Sequence, residues 1–556
     1  MRQNSTVPQH TLLPPAGIRF RAALSRLLVP LLWGVFLLLS AAEGGVLWGN
    51  VRLSTLYSSH LVLQRQRPIQ IRGEATPGEK VTVTLSPEAT EKPKGDRSET
   101  DGDQNDSAQT DSAQTDASPA ENNLPLIAAA EADRNGIWSV TLPPLGAGGP
   151  YRLSVQGKKN RQEIQDIWLG DVWLFVGSRA MLREGTASQE DVPTADEQSN
   201  LRILSLSPVE SPRRKSAIRG QWNLWDEEKQ PGQLALAAAF GKELTSRLSV
   251  PIGIVITARD PAGIEQWLDP AFQTSGADAK NDFGALFNGT LAPLTHLAIR
   301  GAVFEPDDLD IPRAGQYGEL LTAMIEQWRM DWRQGDFPFF YLETGALIGP
   351  DEDNTDSAAA EYRQAQRRAG ALRLVSSVVT FDLGVPAVPE KLGLRLAEQV
   401  LREEYGQGQA GTQTKICAIT FEGDRALIRF SGPLHPAPID GEPMDEEQPI
   451  DDTQTADDTQ IDDDTQTTDD AQIADDVPPI DGFVLAGPDR KFFKAQAVIE
   501  GDRVIVTSDF VASPAAVRYS WSDAPKGNLR GEDDLPVPGF RSDCWPLITD
   551  PIASPH

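Results

Sequence analysis

The apolar run Ile167–Val176 ends in Gly177-Ser178-Arg179-Ala180-Met181. A hydroxyl at the tip of a strand is where ester hydrolysis places its nucleophile. The reaction also needs a histidine base, an acid to orient that base, and donors for the oxyanion. Ser178 supplies a hydroxyl, but bases are scarce. The five histidines are His10, His60, His296, His435 and His556, and none lies between His296 and His435. His296 just precedes the run Leu297–Phe304, at the amino end of that strand, whereas sites in open parallel sheets form at the carboxyl ends. A lysine or glutamate could act as base, but none is spaced to suggest it. So few histidines, with only Cys417 and Cys544, leave no histidine metal site or cysteine zinc module. Neither a metal nor an organic cofactor is expected.

The surrounding pattern is β, then α/β, then β. Short alternating strands with turn residues between them fill 43–160 and mark an all-β module. From 161 to 410 apolar strands alternate with helical stretches: LALAAAFGKELTSRL before PIGIVIT, QYGELLTAMIEQWRMDW before FPFFYLETGAL, and EKLGLRLAEQVLREEYG. This alternation implies a parallel sheet with right-handed crossovers. Strands return over 411–545, followed by a tail at 546–556. Trp168, Trp173, Trp267, Trp328 and Trp332 lie in apolar patterns and are read as core rather than as a sugar platform.

Of the 30 excess negative charges in the 556 residues, 24 fall in two repetitive tracts, 96–121 and 440–481. They sit in inserts of about 90–123 and 437–481, one in each β-module, and lack the apolar side chains needed to offset ordering entropy, so disordered spacers are expected. Without clustered Lys and Arg, nucleic acid is excluded as a partner. Residues 1–42 hold four arginines and then an uncharged run from Leu27 to Ala42 ending in small residues. That reads as a cleaved export signal, giving a periplasmic, extracellular or cell-surface protein. The alternative is a membrane anchor formed by residues 27–42. Whether Cys417 and Cys544 pair is left open.

HLVLQR, GEATPGEKVTV, DRNGIWSVTLPPLGAGGPY, IWLGDVWLFVG, FGKELTSRLSVPIGIV, GFVLAGPDRKFFKAQAVI and SPAAVRYSWSDAPKGNL resemble, in order, blocks of the sialate O-acetylesterase family. The resemblance covers about residues 46–545 apart from the acidic inserts. It implies an α/β domain of the SGNH-hydrolase type, similar to flavodoxin in layout, between N- and C-terminal β-sandwich-like domains, and removal of O-acetyl groups from sialic acids or related sugars. It also implies where the chemistry should sit. The family's Gly-Gln-Ser-Asn-Met block falls on Gly177, Ser178, Arg179, Ala180 and Met181, which puts Arg179 at the nucleophile position and Ala180 at an oxyanion donor. Its Asp-x-His-Pro block puts Val385 at the histidine, with Asp382 left as a strand-end residue. Trp-Gly-Gly-Thr becomes Arg259-Asp260-Pro261-Ala262, and Trp-Tyr-Gln-Gly-Glu becomes Phe304-Glu305-Pro306-Asp307-Asp308.

With every site block altered, no esterase activity is expected. Arg179 stays protonated and cannot attack. It either reaches to solvent or pairs with an anionic sugar or peptide carboxylate, unless Asp260 or Asp308 neutralises it. The expected function is an exported, esterase-like protein that binds acetylated sugars, a sialic-acid-like carbohydrate or another anion through Arg179, Asp260 and Asp308. The alternatives are an active carbohydrate O-acetylesterase with unusual groups and a structural surface protein.

Overall fold

The computed structural model describes residues 50–88, 124–185, 200–226, 232–272, 283–347, 356–408, 414–438, 478–532 and 534–550. The leader at 1–42, nearly all of both acidic inserts and most of the tail lie outside the described residues.

Eight strands open the fold: β1 (Arg52–Leu53), β2 (Val62–Gln64), β3 (Ile69–Glu74), β4 (Lys80–Pro87), β5 (Leu126–Glu131), β6 (Ile137–Leu142), β7 (Gly148–Gln156) and β8 (Arg161–Gly177). Alternating burial along β4 and β6 gives each one core-facing side. β1, β3 and β6 form a small antiparallel sheet. The 17-residue β8 belongs to two neighbourhoods. Its first half pairs antiparallel with β7, while Asp171–Gly177 runs parallel between two central strands. The N-terminal and central sheets are therefore continuous through one strand.

The centre adds β9 (Leu201–Ser205), β10 (Trp222–Leu224), β11 (Ile252–Ala258), β12 (Gly301–Glu305), β13 (Phe339–Leu342) and β14 (Val375–Val378). Spatial order is β10-β9-β11-β8-β12-β13-β14. Without the edge pair β9 and β10, the parallel strands follow the flavodoxin-like order 2-1-3-4-5, whose direction of growth reverses between β8 and β12. β11 is buried along its whole length, as a strand covered on both faces requires. The helices are α1 (Ala235–Leu248), α2 (Ala314–Trp332), α3 (Ala358–Arg367) and α4 (Pro389–Tyr405). Phe240 and Leu244 of α1 with Leu396 and Val400 of α4 cover one face. Leu321, Ile325 and Trp328 of α2 cover the other, in a core shared with the N-terminal strands. Each such side chain contributes about 1.5–3 kcal/mol on burial. Trp173, Trp267, Trp328 and Trp332 are buried as expected, whereas Trp168 is half-buried, with the Arg202 guanidinium 4.9 Å from its ring centre.

The C-terminal part has its own core around Ile428, Leu485, Val506 and Tyr519. It holds two four-stranded antiparallel sheets, one built on Arg425–Phe430 and Arg503–Thr507, the other on Phe483–Ala486 and Ala516–Tyr519. Cys417 and Cys544 are exposed free thiols. No described helix is long and apolar enough to cross a membrane.

Candidate active-site cleft

The reversal of strand order creates a crevice above the carboxyl ends of β8 and β12, and a cleft of about 560 Å³ opens there. Parallel register sets Gly177 beside Glu305. The Ser178 N–H donates to the Glu305 carbonyl at 3.0 Å. Gly177 is required at this joint: its φ is +147°, and a Cβ would lie 2.0 Å from that carbonyl oxygen. Ser178 caps the turn Arg179–Leu182, its hydroxyl accepting from the Ala180 N–H at 3.2 Å.

Ser178, Arg179, Ala180, Asp260 and Asp308 all line the cleft, as do Arg183, Glu305 and Asp307. Val385 is not among its lining residues. It is 48% exposed, while Pro386 and Ala387 from the same loop form part of the wall. Arg179 is exposed and has no side-chain ion pair among the described residues; its backbone N–H donates to Asp260 Oδ1 at 2.8 Å. Asp307 is committed, its two carboxylate oxygens accepting from the Leu309 and Ala262 N–H groups at 2.8 and 2.9 Å.

The described histidines sit elsewhere. His60 pairs with Asp166 at 2.5 Å, and His435 with Asp534 at 3.2 Å. His296 contacts Arg72, and burial together with Arg72 and Arg333 lowers its pKa to about 4. Asp382 accepts from Arg395 at 2.5 and 2.7 Å and from Arg530 at 3.0 Å. Burial opposes its ionisation, but the two arginines outweigh that and hold its pKa below the ordinary carboxylate value.

Glu305 is what the sequence did not single out. Burial pushes its pKa up to about 8 against the pull of Arg183 and the Ser178 hydroxyl, and Asp260 and Asp308 push the same way as burial. Its Oε2 is sealed from solvent and has no hydrogen-bond partner among the described residues. Asp308 is also raised, first by desolvation and then by Asp307. Arg183 is the cation acting on both carboxyls. It too went unnoticed in the sequence, because only the turn after β8 brings it over the cleft. No described group of three or more His, Cys, Asp or Glu side chains is arranged to hold a metal ion.

The sialate O-acetylesterase of Homo sapiens is 26% identical over 238 residues, 36% of this chain and 45% of that protein. The chain is a relative of the sialate O-acetylesterases. The Mus musculus protein of that name is 21% identical over 383 residues, 57% of this chain and 64% of its own length. The chain thus spans about half the length of the first of these curated relatives. A crystal structure of a carbohydrate acetylesterase from Xanthomonas citri covers 89% of this sialate O-acetylesterase relative and 100% of its own chain, with 27% identity and a TM-score of 0.69. No protein-family model matches.

Proposed function

We propose that this chain binds an acetylated carbohydrate in the β8/β12 cleft and does not hydrolyse it by a serine–histidine–aspartate route. The observation that carries the reading is a roomy cleft at the switch point, lined by Ser178, Arg179, Asp260 and Asp308, with the described histidines held in contacts away from it. Export from the cytosol belongs to the same reading and rests on the arginine-led apolar segment before residue 43.

The test combines calorimetry with acetate release from O-acetylated sugars. Binding without release above a buffer blank is expected. Release that disappears in Ser178→Ala would overturn the reading.

One observation favours a second reading, an active acetylesterase, because Glu305 stands beside Ser178. There Glu305 would take the hydroxyl proton as Ser178 Oγ attacks the acetyl carbonyl, return it to the leaving sugar alcohol, and then deprotonate the water that frees acetate. Such release would rise with pH towards about 8 and be lost in Glu305→Gln.

A further inference from the structure

Residues 343–347 follow β13 and form one wall of the cleft. One face of α3 holds them, since positions three and four apart on a helix lie side by side. Gln366 accepts from the Thr344 N–H at 3.2 Å and donates to the Thr344 hydroxyl at 3.1 Å. The buried Arg363 donates to the Thr344 and Gly345 carbonyls at 3.4 and 3.1 Å, and Arg367 donates to the Glu343 carboxylate at 2.9 and 3.2 Å. Both arginines also reach into the C-terminal domain, Arg363 to the Ser522 carbonyl and Arg367 to the Gly539 carbonyl. A guanidinium has the fork of donors needed to span such a boundary, which a single ammonium lacks.

Two more links join the same partners. The Leu347 N–H donates to the Asp523 carbonyl at 3.0 Å. Ser357, whose hydroxyl caps α3 by accepting from the Ala360 N–H at 2.9 Å, donates to the Asp523 carboxylate at 2.5 Å. Arg530 does the same for the wall at Pro386 and Ala387, through Asp382. Among the described residues, none that lines the cleft comes from the C-terminal domain. That domain therefore acts on the site only by fixing its walls, and separating it would strand the donors of two half-buried or buried arginines.

Building on the carbohydrate reading above, we infer that Arg363 and Arg367 are positioning residues that make ligand binding in the cleft conditional on docking of the C-terminal domain. A ligand that needs the fixed wall binds the docked state, so by linkage it also favours docking. Apparent affinity then falls in proportion to the docked fraction.

Hydrogen exchange of the Leu347 amide, whose acceptor lies across the boundary, reports docking in the full chain. Calorimetry with 6-O-acetylgalactose reports the cleft. Saturating sugar is expected to slow Leu347 exchange in the wild type. Arg363→Lys keeps the charge but cannot hold both partners, and is expected to quicken that exchange and weaken binding together, each by about tenfold. Asp523→Ala, at an exposed position, loses only the Ser357 link and should move both readouts the same way by about threefold, which keeps the test open if the lysine variant does not fold. Exchange that quickens while affinity holds overturns the inference, as does affinity that falls while exchange holds. A lowered melting temperature with both readouts unchanged well below it also overturns it, leaving Arg363 a structural role. Absence of sugar binding in the wild type removes the carbohydrate reading alone. The positioning role then stands if the Thr344 and Leu347 amides quicken together in Arg363→Lys, and falls if Leu347 quickens by itself.

Discussion

Two carboxyl groups at the carboxyl end of the same sheet have opposite fates. Asp382, after β14, is clasped by Arg395 and Arg530, and its pKa is lowered. Glu305, at the end of β12, has an unpartnered oxygen, and its pKa rises to about 8. The first is spent on holding the fold together, because Arg530 comes from the C-terminal domain and ties it to the loop that forms one cleft wall. The second has no such employment. An uncompensated buried carboxyl costs stability, and such groups concentrate where a ligand or a reaction uses them.

The contrast breaks most severely in Asp382→Ala. Removing one partner strands Arg395, only 11% exposed at its side chain, and a loss of about 3–5 kcal/mol is expected in chemical denaturation. Because its folded pKa is lowered, the Asp382 contribution is complete above the ordinary carboxylate value and fades as pH falls through the folded pKa. Wild type should therefore lose its advantage over the variant in acid.

Glu305→Gln should act in the opposite direction. Folded Glu305 keeps a proton that the unfolded chain releases, so its penalty grows between the ordinary value of 4.5 and about 8 and is complete above that. The variant is expected to be more stable than wild type by on the order of 2 kcal/mol at pH 9, allowing for partial exposure, and by little at pH 4. A destabilised variant at pH 9 would erase the distinction between the two carboxyls.

The smallest effect is expected for Arg530→Met. Asp382 retains Arg395, so about 1 kcal/mol should be lost, with ligand affinity falling as the wall formed by Pro386 and Ala387 loosens. Unchanged affinity at a temperature well below melting would confine Arg530 to a structural role.

Much of this was legible in the sequence. Helices with a 3.6-residue period, such as the one ending in IEQWRMDW, and strands bounded by turns announced themselves locally. So did the altered block around Arg179, since it can be compared residue by residue with a known pattern. Glu305 could not be read that way. Its importance depends on lying across a strand pair from Gly177, 128 positions away in the chain, and on one of its carboxyl oxygens being sealed from solvent, and neither follows from spacing. The same holds for Asp382, which looked like a remnant at a strand end until Arg530, 148 positions on, came to meet it.

The double membership of β8 has a consequence for synthesis on the ribosome. Its first half can pair with β7 as soon as both have emerged. The apolar half, Val172–Val176, must wait for β11, whose end lies 81 residues later, and has its second neighbour only once β12 is made. At 5–20 residues per second that is a delay of roughly 4–16 s. Throughout it a finished N-terminal sheet carries a bare hydrophobic strand, an invitation to holdase chaperones while the rest of the central sheet is still being made.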